Sequence, residues 1–465
     1  MSTSAHYTLP SGPLERFTPR ISTGFPNPRS LLIVFARNSI LSALQNSITI
    51  GCLEITDSHQ TYRFGHSMSD GSVAGLKVIS DDFWIQILIS GDLGFSEAYM
   101  IGAVEVSSLK DVMHLWLQNE SGMANITSLY ARLSSALSGL SNALFGQTRA
   151  NARLNAMSSY DQSNELFKKA FLSKEMMYSC ALWSNEEEGL RGDLVPTSRD
   201  TSGDLEAAQL RKIHLVLRKA RVQPGHRVLE FGSGWGAMAI EAARSFGCEV
   251  DTITLSVEQK KLAEERIQKA GLQDRIRVHL MDYRELPAEF EKAFDAFVSI
   301  EMLEHVGSKY YTTYFKIVDW ALKPRNATIV ISSSTFPESR YTGYQAEDFM
   351  RKYMWPNSCL PSATALITAA RDGSQSRFTL DSVENHSAHY PRTLREWDLR
   401  LEAKLTPGML AKDFPNLQKD CVAYETFKRK WRYLFAYAGA GFAGGYITCH
   451  MITFIRQNDA PDMCD

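Results

Sequence analysis

Glu230 and the glycines at 232, 234 and 236 close the apolar run that begins at Val228, and a helical pattern follows at once. This is the arrangement of a nucleotide-cofactor cradle. A strand-to-helix turn places backbone N–H groups and a helix N-terminus at one edge of a parallel sheet, and glycines let a ligand approach where a Cβ would collide. The spacing is not the Gly-x-Gly-x-x-Gly of a dinucleotide fold, so pyrophosphate is not its natural ligand. Glycine-rich turns also serve as plain tight connections, and the turn does not by itself decide between the two.

The flanking elements weigh toward a cradle. Glu249–Thr254 reads as a second strand, and Ser256-Val-Glu-Gln259 opens a helix reaching Ala270, with Ser256 and Gln259 spaced as a capping box. Arg277–Met281 ends in Asp282-Tyr283-Arg284, and Ala296–Ile300 ends in Glu301-Met-Leu-Glu-His-Val-Gly307. Polar residues thus collect at strand C-termini, where an open α/β sheet binds its ligands.

The runs VLEFGSGWG, ITLSVEQ, DYREL, FDAFVSIEMLEHVG, MRKYMWPNSCLPS and HYPRTLREW, between about Asn151 and Arg456, resemble the cyclopropane-fatty-acyl-phospholipid and mycolic acid cyclopropane synthases, in a fungal-type version. Gly91-Asp-Leu-Gly-Phe-Ser-Glu-Ala-Tyr-Met-Ile-Gly102 looks like the amino-terminal domain of the bacterial and plant enzymes. The resemblance implies an α/β fold, the class I (Rossmann-like) methyltransferase seven-stranded sheet with helices on both faces, plus a small N-terminal α+β domain. It implies S-adenosylmethionine as methyl donor. Gly232, Gly234 and Gly236 would pack against its amino-acid part, with Thr254 and Gln259 near the ribose and Asp282 and Tyr283 flanking the adenine. Glu230 stands for the usual Asp, and Tyr178 and Ser179 belong to the same donor site.

Methyl transfer to a carbon–carbon double bond leaves a carbocation, and ring closure needs a base for the new methyl group. In the family that base is bound bicarbonate, and the matching positions are the backbone of Cys180, the carboxyl of Glu304 and the hydroxyl of Tyr390. The family's His falls at Ser332, and its His-Tyr-Asp reads Ser159-Tyr160-Asp161. These departures leave open whether bicarbonate is retained, and whether the product is a cyclopropane or a methyl branch. Glu304 could instead cap the following helix, His305 reads as a core imidazole, and Cys180 is explained equally well as a small buried hydrophobe. Tyr341, Tyr344, Tyr353, Trp355, Trp431, Tyr433 and Phe435 could line an acyl channel or face a cation if several converge.

The expected acceptor is an unsaturated lipid acyl chain. A small hydrophobic metabolite of polyketide type is the alternative, and a lipid-binding relative without turnover is a third reading. Peripheral membrane contact and a homodimer are compatible with the resemblance.

At 465 residues the chain is too long for one core. A net charge of -2 argues against nucleic acid as the main partner. Seven cysteines without paired spacing point to reduced thiols in the cytoplasm and to no metal site. The opening residues lack a secretory pattern. Leu31–Ala36 is too short to cross a bilayer, and Phe435–Ile455 reads as a helix end, a turn at Gly444-Gly445 and a final strand. The expected organisation is a loose terminus (1–28), a small α+β domain with strand-like Ser47–Ile55, a helix over Val106–Leu117 and a connecting helix at 120–148 (29–148), lid helices (149–200), and a methyltransferase domain (201–460) with an acceptor-site insertion at 335–376.

Overall fold

The computed structural model describes residues 28–66, 73–123, 163–197 and 200–457. The terminus as far as Asn27, most of the expected connecting helix and the Ser159-Tyr160-Asp161 motif lie outside them.

Helix α1 (Pro28–Ser47) buries Ala36, Ile40 and Leu44, a four-residue repeat that places one stripe against the core. Strands β1 (Cys52–Thr56), β2 (Thr61–Gly65) and β3 (Ala74–Val78), helix α2 (Asp82–Met100), strand β4 (Val104–Val106) and helix α3 (Leu109–Gln118) complete a unit whose sheet runs β2-β1-β3-β4. Ser47 ends α1 and the strand begins only at Cys52, so the strand-like reading of Ser47–Ile55 holds for its second half alone. Inside α2 the chain breaks at Gly91 (φ 51°, ψ -125°), and Gly94 lies so close to the Gln86 carbonyl that a Cβ would sit 2.0 Å from its oxygen. Gly91 is therefore required by its backbone conformation and Gly94 by packing.

The second sheet follows. Helix α4 (Asp204–Lys219) leads into β5 (Arg227–Phe231), α5 (Ala237–Phe246), β6 (Glu249–Thr254), α6 (Val257–Lys269), β7 (Ile276–Leu280), β8 (Ala296–Ile300), α7 (Tyr311–Ala321) and β9 (Thr328–Thr335). Then come α8 (Ala363–Gly373), β10 (Phe378–Asn385), α9 (Tyr390–Lys404), α10 (Pro415–Lys419), α11 (Cys421–Ala443) and β11 (Thr448–Arg456). The seven strands run β10-β11-β9-β8-β5-β6-β7, with β5 to β9 parallel and β11 antiparallel to both neighbours. Strand order reverses between β5 and β8, the switch point where such sheets open a ligand crevice. The two-residue strand period divides the core: Leu229, Phe231, Phe297, Ile331 and Phe454 face one layer of helices, while Val228, Val250, Val298, Val330 and Met451 face the other.

Two expectations change in detail and one holds. Segment 172–197 holds no α-helix; after a π-helical turn at Leu166–Phe171 it is extended, then 3-10 helical at Asn185–Glu187 and Gly189–Leu194. The expected insertion is shorter, because α8 packs on α7 as part of the helical layer. As read from the sequence, Phe435–Ile455 is a helix end, a turn with Gly445 at φ +68° and a strand, and among the described residues no helix is long and apolar enough to cross a membrane.

Beneath the cradle, the fully buried Asp251 of β6 accepts from Arg227 of β5 (2.8 Å) and from Arg277 (2.9 Å) and His279 (2.9 Å) of β7. Burial alone would raise this carboxyl, but the bonds from His279, Arg277 and Arg227 outweigh it and hold Asp251 well below the usual carboxylate range. The stability this lends is present above the ordinary carboxylate range near pH 3.8 and lost as the pH falls through the lowered value. Asp251→Asn is expected to cost about 3 kcal/mol at neutral pH, as for a broken buried ion pair. Chemical denaturation should show that deficit at pH 7 and a smaller one below pH 4.

Candidate functional site

The glycine turn adopts the geometry its composition permits. Gly232, Gly234 and Gly236 have φ of +93°, +48° and +82°. The N–H groups of Gly232 and Ser233 both donate to the Ile253 carbonyl, at 3.1 and 3.0 Å, which binds the turn to the end of β6. A Cβ on Gly232 would press on Met302 at 3.2 Å, whereas one on Gly234 would meet nothing within 4 Å. Open space therefore stands over Gly234. At its foot Glu230 is buried, and burial pushes its carboxyl up to about 8. The Thr252 hydroxyl beside it tempers that rise, and neither Glu230 Oε2 nor that hydroxyl has a further partner among the described residues.

Around this cradle lie the other expected donor contacts. Thr254 donates to Gln259 Oε1 (2.9 Å) at the end of β6, and Ser256 caps α6 by accepting from the Gln259 N–H (3.2 Å). Asp282 is engaged by Arg284 at 2.6 Å, which holds its carboxyl below the usual range. Tyr283 packs its ring against Tyr314 (5.3 Å) and Phe231 (5.7 Å), so most of the ring belongs to the core. Trp235 Nε1 donates to Asn164 (2.7 Å), and Phe167 stacks near the Trp235 ring at 5.0 Å, which draws segment 163–171 over the turn. An open space beside glycine backbone, a buried carboxyl at its foot and polar side chains at adjacent strand ends fit S-adenosylmethionine.

A strap at 179–183 crosses between α4 and α9. Gln209 donates to the Ser179 carbonyl (2.8 Å), Lys212 to the Ser179 hydroxyl, and Arg211 to the Leu182 carbonyl (2.7 Å). From the other side Thr393 accepts from the Ala181 N–H (3.2 Å), and His389 Nδ1 accepts from the Trp183 N–H (3.0 Å). Burial lowers His389 to about 4, so at neutral pH the ring is uncharged and able to accept.

The strap delivers the Cys180 N–H to a carboxylate, and that carboxylate is Glu301. Its Oε1 accepts from Cys180 N–H (2.9 Å) and its Oε2 from the Tyr390 hydroxyl (2.5 Å). Glu301 lies just beyond β8 at φ +51°, a conformation rare for a residue with a Cβ, and its N–H donates to the Ser332 carbonyl (2.7 Å). Cys180 and Tyr390, the positions matched to bicarbonate ligands, thus come together, and a side chain of the protein lies between them. Sequence reasoning passed over Glu301, and its only signal was an acidic residue directly at a strand C-terminus.

Glu304 points elsewhere: its Oε1 accepts from the Ser334 N–H (2.5 Å) and its Oε2 has no partner among the described residues. Burial, then the nearby Glu301 charge, push it up to about 8. The Tyr390 hydroxyl donates to Glu301 and not to Glu304. Ser332, at the family's His position, reaches Glu301 through its backbone. His305 is lowered by burial, in keeping with a core imidazole.

Aromatic residues do converge here. The Tyr178 ring lies 5.0 Å from Phe167, 5.1 Å from Trp397, 6.0 Å from Phe171 and 6.3 Å from Trp355. Trp431 and Phe435 back Phe171 at 5.3 and 5.4 Å. Tyr433 packs on Phe349, Tyr353 hydrogen-bonds Glu97, and Tyr344 is exposed. Among the described residues no cluster of His, Cys, Asp and Glu could hold a metal ion.

The sequence is 34% identical over 311 residues to the tuberculostearic acid methyltransferase UfaA1 of Mycobacterium tuberculosis, covering 67% of this chain and 66% of that one. It is 30% identical over 395 residues to the cyclopropane-fatty-acyl-phospholipid synthase of Escherichia coli, covering 85% and 91%. The solved mycolic acid cyclopropane synthase CmaA1, complexed with SAH and CTAB, superposes with a TM-score of 0.50 at 25% identity, over 65% of this chain and 97% of that one. Residues 147–452 match the family described as mycolic acid cyclopropane synthetase, and the chain belongs to that family of S-adenosylmethionine-dependent methyltransferases.

Proposed function

We propose that this protein methylates a carbon–carbon double bond of an unsaturated lipid acyl chain and that Glu301 is the base that closes the ring. The observation that carries the reading is the Glu301 carboxylate held between the Cys180 N–H and the Tyr390 hydroxyl. When bound, S-adenosylmethionine supplies the methyl: its S–CH3 bond breaks, a C–C bond forms, and one former alkene carbon is left cationic.

The chain's residues do the rest. Gly232, Gly234 and Gly236 hold the donor against the end of β5, with Glu230, Thr254, Gln259, Asp282 and Tyr283 around it and Tyr178 and Ser179 closing the side. The rings of Tyr178, Trp355 and Trp397 present π faces to the developing cation and exclude water. Glu301 takes a proton from the new methyl group, and the C–H electron pair closes onto the cationic carbon as a cyclopropane. A saturated methyl branch would require a hydride instead, which a carboxylate does not supply. Bicarbonate is not needed where Glu301 fills its place. Glu304 is a neutral buttress joining the loop after β8 to β9 through the Ser334 N–H. Leu31, Val34 and Phe35 on α1 are about half exposed (54%, 54% and 47%), which supports contact with a lipid surface.

Three outcomes test this. Because a Cβ at 234 enters only open space, Gly234→Ala should leave a folded protein, with a cost of about 1 kcal/mol for the φ of +48°. Calorimetric titration should show S-adenosylmethionine binding weakened by about tenfold or more; undiminished binding would place the donor elsewhere.

Given vesicles of dioleoyl phospholipid, the parent should yield acyl chains one carbon heavier with the double bond consumed, read by mass spectrometry. Glu301→Gln should lower turnover by about 10²-fold or more while donor binding persists. Glu301→Gly suits the positive φ and vacates the anion position, so it should be inactive alone and regain turnover on addition of bicarbonate. Full activity in Glu301→Gln would remove Glu301 from the chemistry.

Glu304→Gln should keep its bond to Ser334 and retain turnover. Since the Glu304 carboxyl is raised in the folded chain, the stability it lends is full below about pH 4.5 and lost as the pH climbs through about 8. Thermal unfolding should therefore find the Gln variant equal to the parent at pH 5 and more stable at pH 9.

A further inference from the structure

A groove of about 770 Å³ opens between α3, the turn at Gly189–Leu194, α9 and α11, a volume suited to a small ligand. The chemistry above does not use it. Glu301, Tyr178, Trp355 and Trp397 do not line it, and the partition between the two places is aromatic. Phe442 in the groove wall lies flat on Tyr390 at 4.1 Å, and Phe435 packs against Trp397 at 6.1 Å. Groove and reacting centre therefore stand back to back, and an occupant of one does not fill the other.

The floor is apolar. Leu394 of α9 and Ala436, Gly439 and Ala440 of α11 form it, and the backbone polar groups of both helices are bonded within those helices. An extended peptide would leave its own N–H and C=O groups without partners on such a floor, whereas an acyl chain asks for none. Leu190 and Leu194 carry the apolar surface out to the mouth, where they are 38% and 44% exposed. Contiguous apolar surface of this kind, left open at the edge of a groove, marks a binding site more than a packing fault.

Charge decides among apolar occupants. Of the charged groups in the lining, Arg395 is held by Asp193 at 2.6 Å and Asp398 by Arg432 at 3.6 Å. Lys110 and Arg191 are exposed, and among the described residues neither has an ion-pair partner. The uncompensated charge at the mouth is thus positive, complementary to a phosphate. We propose that the groove is a second lipid site, which seats an anionic phospholipid of the bilayer as a bound ligand and not as the methyl acceptor. Its phosphate lies against Lys110 and Arg191, and an acyl chain runs over Leu394 and Gly439. Because α3 belongs to the first unit and α9 and α11 to the methyltransferase domain, one such lipid fixes both to the same membrane.

The test needs neither methyl donor nor double bond, so its outcome is independent of the base assignment. Dihexanoyl phosphatidylglycerol, saturated and used as a monomer, is titrated calorimetrically into the full-length protein and should bind one to one. Dihexanoyl phosphatidylcholine, with the same chains and no net charge, should bind about tenfold or more weakly, and glycerol 3-phosphate, a head without chains, should not bind measurably. Lys110→Gln and Arg191→Gln lie at exposed positions and should each weaken phosphatidylglycerol about fivefold. Gly439→Leu should abolish its binding: a Cβ there meets Leu394 only at an ordinary 3.9 Å, and the longer side chain enters the groove. Titration with S-adenosylmethionine identifies the folded variants, and the two charge variants decide the matter if Gly439→Leu does not fold. Absence of binding, equal affinity for the two phospholipids, or affinity unchanged in the folded variants overturns the site. Hexanoate binding as tightly as phosphatidylglycerol overturns the phospholipid in favour of a free fatty acid.

Discussion

The carboxylate of Glu301, held by one N–H and one hydroxyl, ties together three segments far apart in the chain: the strap at Cys180, the end of β8 and the start of α9 at Tyr390. Each must be rigid for the contact to exist. The strap is fixed by α4 on one side and by His389 and Thr393 on the other, and Tyr390 is stacked flat on Phe442 at 4.1 Å. Glu301 is anchored by its own N–H on the Ser332 carbonyl. A short bond between rigid partners loses little entropy on forming, which is why so small a contact can organise so large a surrounding.

The rest of the molecule can be understood as support for that point and for the neighbouring glycine turn. The parallel strands are pinned at mid-sheet by Asp251, and the antiparallel pair β10 and β11 closes the far edge. Arg392 is buried on the Trp183 ring at 4.1 Å while donating to the carbonyls of Glu187 and Gly189, so the end of the strap is held by stacking as well as by hydrogen bonds. The small unit at the start of the chain is joined to the same core: Lys352 and Tyr353 reach Glu97 of α2 at 2.7 and 2.9 Å.

The sheet, its glycine turn and the polar strand ends were legible in the sequence because they are local: a two-residue period, three alternating glycines and a capping Ser need no knowledge of distant residues. Cys180 and Tyr390 were legible through resemblance. The choice between Glu301 and Glu304 was not, since it turns on one positive φ that reverses the direction of a side chain three residues from the expected one. Lys212 reads in sequence as an ordinary polar position of an amphipathic helix, and its burial follows from the path of the strap. Trp355, Trp431 and Phe435 converge near Tyr178 only because α9, α11 and the loop before α8 meet there, a fact of tertiary packing.

The backbone at residue 301 suits glycine better than glutamate. Glutamate and glycine codons differ at one nucleotide. With Glu301 as the base proposed above, a lineage carrying this fold would stand a single base change from surrendering its own carboxylate, at no conformational cost, and coming to depend on an anion drawn from solution; the reverse step would free it from the dissolved carbonate of its surroundings.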